Sequence, residues 1–182
     1  MSYLKGRRLI RWENIKGPKQ SISLVLGTSF GAGLFPVAPG TMGTLVGLPI
    51  AYFTNDWDWP SRVALWGVIF AIGTWAATVV DQTMGTSDNQ NIVIDETLGY
   101  GITAWTAAQH PWTLFAAFVF FRFFDIVKPP PVRQIDYWSK KKSSGEHGNV
   151  WWGGFGVIAD DAAAGVQALL VILILQRFGI LL

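Results

Sequence analysis

The apolar positions of this chain gather into runs, and their lengths differ. Val63 to Val80, "VALWGVIFAIGTWAATVV", carries no charge and is long enough for a transmembrane helix, which needs about 20 residues. Ala162–Leu175 is also charge-free, with Gln167 its only amide, and continues through Gln176 to Arg177. Met42–Phe53, Leu98–Ala108 and Thr113–Phe124 are shorter, the last interrupted by Arg122. These short runs predict half-spans or re-entrant segments rather than straight, isolated crossings. The turns "NDWDWP" (55–60) and "AQHPW" (108–112) separate the runs and place Trp at their ends. Glycine pairs at four-residue spacing, Gly27/Gly31 and Gly43/Gly47, predict close helix packing. The fold expected is an all-α, polytopic membrane bundle with about five membrane segments. A basic N-terminal arm (1–20) is expected to precede a single embedded domain (21–182).

Counting crossings from a cytoplasmic N-terminus puts Asn55–Pro60 and Gln109–Trp112 outside, and 81–97 and 128–154 inside. Charge supports that count. Lys5, Arg7, Arg8, Arg11, Lys16 and Lys19 crowd the N-terminus, Lys140–Lys142 form a second cluster, and no basic residue lies between Arg62 and Arg122. Both clusters fall inside, as the positive-inside rule requires. Loop 81–97 carries no basic residue with which to add to that count. Basic clusters that flank apolar segments favour this topology over nucleic-acid contact.

Composition sharpens the membrane expectation. Of 182 residues, 51% are hydrophobic and 14% charged, with ten Trp and twelve Phe; soluble domains average about 25% charged. The alternative is a soluble helical bundle with an unusually greasy core. There is no cysteine, which excludes disulfides and thiolate metal sites. The polar stretch 139–149, "SKKKSSGEHGN", reads as a loop.

The candidate chemistry is acidic. Carboxylates are doubled at Asp95–Glu96 and at Asp160–Asp161, and Asp125 lies in "FRFFDIVKPPPV" (121–132). All these positions fall on the inner face of the counted topology. A single acid at a helix start is ordinarily a cap. Capping needs only one acceptor, however, and converging carboxylates at low dielectric must take up protons or a cation. Hard oxygen donors suit Mg²⁺. The spacing Arg122–Asp125–Lys128 admits two readings: an ion-pair ladder ended by prolines, or Asp125 on metal with Arg122 and Lys128 meeting phosphate oxygens. In "GAGLFPVAPGTMGTL" (31–45), Pro39, Gly40 and Thr41 precede an apolar helix and expose free amides that suit an anion; the plain reading is a turn into a membrane segment. "GTSFG" (27–31) matches a nucleophile-elbow pattern, but no strand precedes it, and only His110 and His147 are available as bases. Trp105, Trp112, Trp151 and Trp152 read as an interfacial belt.

"FPVAPGTMGTL" (35–45), "IVIDETLGY" (92–100), "FRFFDIVKPPPV" (121–132) and "GGFGVIADDAAAG" (153–165) together, and in this order, resemble phosphatidylglycerophosphatase A, a bacterial inner-membrane lipid phosphatase. The likeness runs from about Gly27 to the C-terminus. It implies Mg²⁺-dependent hydrolysis of phosphatidylglycerophosphate to phosphatidylglycerol at the cytoplasmic face. By that resemblance Asp95, Glu96, Asp125, Asp160 and Asp161 are the catalytic, metal-binding acids. Gly40, Thr41, Gly43, Arg122 and Lys128 are the substrate-phosphate candidates, and Asp136 corresponds to a further family aspartate. Pro130 stands where the family has Trp, and the link from Asp136 to Gly153 is longer than usual. The expected partners are the lipid substrate and the membrane, with no nucleic acid. The rival reading is a cation- or proton-coupled transporter, which predicts mid-membrane acids on both halves of a pseudo-repeat.

Overall fold

A computed structural model describes residues 10–143 and 150–182. Among the described residues there are seven α-helices and no strand: α1 (Pro18–Gly27), α2 (Pro39–Thr54), α3 (Trp59–Met84), α4 (Ile94–Thr103), α5 (Pro111–Val127), α6 (Val132–Ser143) and α7 (Val150–Arg177). Short 3₁₀ turns lie at Trp12–Asn14, Ala32–Leu34 and Ala104–Thr106. The all-α expectation holds. Lys5, Arg7, Arg8 and His147 lie outside the described residues.

Helix boundaries follow local chemistry. Asp58 caps α3 by accepting from the Ser61 amide at 3.3 Å, Pro60 sits in the first turn, and Gly85 ends the helix at φ +65°. Proline also opens α2 and α5. Lys128 closes α5 in the left-handed region at φ +47°, and Pro129 prevents the helix from resuming.

The centre of the bundle is α4. It is short, almost wholly buried, and packed against α2, α3, α5 and α7, while α1 lies on α3 and α6 on α7. Small residues make this possible. A Cβ at Gly99 would run into the Phe121 ring and the Asp161 carbonyl, and one at Gly165 into the Gly99 carbonyl. The backbones of α4 and α7 therefore meet directly, as in small-residue membrane packing. Of the two expected glycine pairs, Gly43 and Gly47 do seat α2 closely, against Val93 and Thr97 of the α4 region. Gly27 makes only ordinary contacts and Gly31 forms a turn at φ +96°.

Among the described residues two helices, α3 and α7, each hold a window of 18 residues apolar enough to cross a membrane. Less than half of either window is buried, 44% and 39%. The outer faces of α3, α5 and α7 expose Val68, Ile72, Phe115, Val119, Phe123, Leu170 and Ile174. A greasy soluble core would hide such residues; here they face outward. α2, α4 and α5 are shorter than α3 and α7.

Two expectations change. Residues 132–143 form α6 instead of belonging to a loop. The helix is amphipathic and turns Val132 and Ser139 into α7, where both are buried. Its last turn carries Lys140–Lys142, favourably placed against the helix dipole. Two of the four Trp read as belt residues also have specific partners. Trp105 lies under the Arg62 guanidinium at 4.2 Å, and Trp152 packs edge-on against Trp138 and Phe155.

The bundle has two chemically distinct ends. At one, Arg62 donates to Asn55 and to the Trp105 carbonyl, Gln109 donates to Asp56 at 2.7 Å, and Thr106 meets Gln176 at 2.8 Å. The other end gathers the acids.

Candidate active site

The starts of α2 and α4, the end of α5 and the N-terminal half of α7 surround a cavity of about 370 Å³. All five candidate acids line it: Asp95 and Glu96 from the first turn of α4, Asp125 from the last turn of α5, and Asp160 and Asp161 from α7. Arg122, Lys128, Pro39 and Gly40 complete the walls, and residues 88–90 cover one side.

The acids divide by partner. Asp95, Glu96 and Asp161 each place one carboxylate oxygen so that the three lie within 4.8 Å of one another. Asp95 and Asp161 are buried and Glu96 is half-buried. Oε2 of Glu96 and Oδ2 of Asp161 are buried with no hydrogen-bond partner among the described residues. Three carboxylates at this range repel unless a proton or a cation intervenes. An all-oxygen donor set with unsatisfied lone pairs fits a hard divalent cation.

The other two acids are held by cations. Arg122 Nη1 lies 2.6 Å from Asp125 Oδ2 and 3.8 Å from Glu96 Oε1, so one guanidinium joins α5 to α4. Lys128 does not continue that ladder. Its left-handed backbone carries it off the helix, and its ammonium pairs with Asp160 and, at 3.4 Å, with Asp136. Burial alone would lower the Lys128 pKa, but the carboxylates of Asp160, Asp136 and Asp161 raise it above its ordinary value. Burial likewise opposes the charge on Asp136, yet Lys140 and Lys128 hold its carboxyl below the usual range. Lys140 sits 2.7 Å from Asp136 and 3.3 Å from Asp88, tying α6 to the covering loop.

The phosphate candidates are distributed unevenly. Gly40 lines the cavity, and no side chain fits there: a Cβ would strike Glu96 Oε1 and crowd Arg122 Nη1. The first amides of α2 have no intrahelical acceptor and open at this point. Thr41 and Gly43 are not among the lining residues; Gly43 is turned against the Val93 backbone. Ala38, Asp88 and Lys128, all on the cavity wall, have φ of +50°, +64° and +47°. Each such non-glycine residue costs on the order of 1 kcal/mol, a kind of strain that concentrates at functional sites.

Sequence reasoning missed the residue that builds the covering loop. Asp81, buried at the end of α3, accepts from Thr86 Oγ1 at 2.6 Å, the Asp88 amide at 3.0 Å and the Asn89 amide at 3.1 Å. The signal was an acid immediately after the charge-free run from Val63 to Val80. Asn91 then donates to the Gly33 carbonyl at 2.8 Å and fixes the loop to the segment before α2.

A cavity lined by six acids (the five candidates and Asp88), an arginine, a lysine and an open helix N-terminus is equipped to hold a cation and a phosphate side by side. Comparison with known proteins bears on the phosphate. The family model described as phosphatidylglycerophosphatase A matches residues 25–176. Phosphatidylglycerophosphatase A of Escherichia coli K12 is 37% identical over 145 residues, covering 78% of this chain and 76% of the relative. The Haemophilus influenzae protein of the same name is 32% identical over 166 residues, covering 87% and 94%. A Bacteroides thetaiotaomicron protein, provisionally named a phosphatidylinositol-3-phosphatase, is 33% identical over 160 residues, covering 83% and 91%. No solved structure matches the chain. The matched segment holds every residue of the acidic cavity, and the chain belongs to the phosphatidylglycerophosphatase A family.

Proposed function

We propose that this chain is a Mg²⁺-dependent phosphatase that hydrolyses the terminal phosphate of phosphatidylglycerophosphate to give phosphatidylglycerol. It acts as a multi-pass protein of the bacterial inner membrane with its cavity facing the cytoplasm. The observation that carries the proposal is the cavity itself, where a carboxylate triad, two acid–base pairs and the α2 N-terminus converge. The two relatives named for this activity supply the substrate. The outward apolar faces and the two long helices support the membrane, and about five crossings remain part of the proposal. A transporter would need acids deep in both halves of a repeat; here they share one end.

In this mechanism Asp95, Glu96 and Asp161 would hold Mg²⁺, with Asp125 and Asp160 beside them. The ion would supply positive charge and Lewis acidity at the phosphate. Arg122 and the first amides of α2 donate to phosphate oxygens and stabilise charge as it spreads over them. Lys128, anchored by Asp160, keeps a second positive charge at the rim. A water attacks phosphorus while a free oxygen of Glu96 or Asp161 accepts its proton. The phosphorus–oxygen bond to glycerol breaks, and the carboxylic acid so formed returns the proton to the leaving oxygen. Proton and charge balance.

The test is phosphate release from phosphatidylglycerophosphate by purified protein with Mg²⁺ and with EDTA. Release with Mg²⁺ and loss with EDTA are expected; chelation-insensitive release would remove the metal from the mechanism. The Bacteroides relative's name motivates a parallel assay on phosphatidylinositol 3-phosphate. Faster turnover there would reassign the head group.

A further inference from the structure

On the side of the bundle where α2 and α5 approach each other lies a second cavity, of about 420 Å³ and almost wholly apolar. One wall is Leu45, Leu48 and Tyr52 of α2; the other is Leu114, Phe115 and Phe118 of α5. We propose that this groove receives one acyl chain of the lipid whose phosphate occupies the acidic cavity. The inference rests on the phosphatase reading and extends it from the head group to the tail.

Continuity with the acidic site makes the groove more than a lipid-facing surface. The two helices run antiparallel, and both begin or end at the acids: α2 starts at Pro39–Gly40, and α5 finishes with Arg122 and Asp125. The α2 wall repeats at i, i+3 and i+7, so Thr41 lies one turn nearer the site on the same face. The α5 wall behaves likewise: Phe118 stands one turn from Arg122. Thr41 to Tyr52 and Arg122 to Pro111 each span eleven residues, about 16 Å at 1.5 Å per residue. The groove, lined over 45–52 and 111–118, therefore starts about one turn from the phosphate site and runs towards the Asn55 and Gln109 end of the bundle, and α2 and α5 pack mainly on α4 and α7 instead of closing on each other. Its volume is in the range of about 300–1,000 Å³ typical of ligand clefts.

A tail lying in the groove would fix the angle at which the head group enters the acidic cavity. Binding energy at such a remote part of a substrate is converted into orientation at the reacting atom. Chain length should therefore affect kcat as well as KM.

The experiment compares dibutanoyl with dipalmitoyl phosphatidylglycerophosphate in mixed micelles at matched surface concentration, using wild type and Leu48→Trp, whose indole would fill the groove midway. The long-to-short ratio of kcat/KM should fall by about tenfold or more in the variant, the range a blocked apolar pocket produces. An unchanged ratio overturns the groove. Wild-type protein that releases phosphate from neither lipid overturns the phosphatase reading instead. A second measurement does not depend on the variant's folding: a lipid with a diazirine near one acyl terminus is photolysed with wild type, and the adduct is mapped. Label concentrated in 45–52 and 111–118 is expected. Label spread evenly over other outward faces, such as Val68 and Leu170, overturns the proposal.

Discussion

Asp161 is the residue on which the site depends most. It is buried, one of its oxygens has no partner, and it shares a 4.8 Å cluster with Asp95 and Glu96. Asp161→Asn keeps shape and removes charge. Turnover should fall by about a thousandfold or more, the upper range for losing one electrostatic group at a reacting centre. In EDTA the variant should melt no lower than wild type, because one of three mutually repelling buried charges is gone. A lower melting temperature without metal would make Asp161 a structural partner instead. The paired acids behave differently. Asp136 is partly exposed, pairs with Lys140 and shares Lys128 with Asp160, so Asp136→Asn weakens two contacts worth about 0.2–1 kcal/mol each and should slow turnover less than about fivefold. Lys128→Met strands Asp160, which is only 4% exposed. It should cost stability towards the low end of about 3–5 kcal/mol, read as a drop in melting temperature.

At the scale of elements, the acids meet because α4 and α7 touch backbone to backbone. Gly99→Ala inserts a methyl against the Phe121 ring and the Asp161 carbonyl. Overpacking of this kind costs about 1–3 kcal/mol. Activity should fall further than stability alone explains, because the displaced segment carries Asp161; a variant that melts lower but turns over normally would uncouple packing from the site. This contact also marks where sequence reading reached its limit. Doubled acids at 95–96 and 160–161 and the basic pair flanking Asp125 were legible, because charge in an apolar run has few cheap explanations. The partition of those acids into a triad and two ion pairs was not legible, since partners on different helices leave no trace in spacing. Arg122 and Asp125 met as their i, i+3 spacing predicts, while Lys128 left the face through a left-handed residue that periodicity does not reveal. α6 was missed because a polar, lysine-rich run hides the period of Val132, Ile135 and Ser139.

For the whole molecule, the separation of two ends decides how the cavity meets its substrate. The acids, α6 and the covering loop share one end, while Asn55, Asp56, Gln109 and Gln176 are cross-linked at the other. At 1.5 Å per residue, α3 and α7 are about 40 Å long, more than the ~30 Å hydrocarbon core, so a bundle embedded along these helices would present its ends to opposite compartments. Basic residues choose the inner end, and Lys140–Lys142 lie in the last turn of α6, with Lys140 paired to Asp136 and Asp88. The chain has no cysteine, so a single introduced thiol reports its own side without background. Trp57→Cys and Lys141→Cys replace exposed residues at the two ends. In intact bacteria a membrane-impermeant maleimide should label the Trp57→Cys protein and spare the Lys141→Cys protein, which should react only once the membrane is opened. The reverse pattern would turn the active site outward, away from lipid made at the cytoplasmic leaflet. Equal labelling of both in intact cells would mean that the two ends share a compartment, and the spanning orientation on which substrate access depends would be wrong.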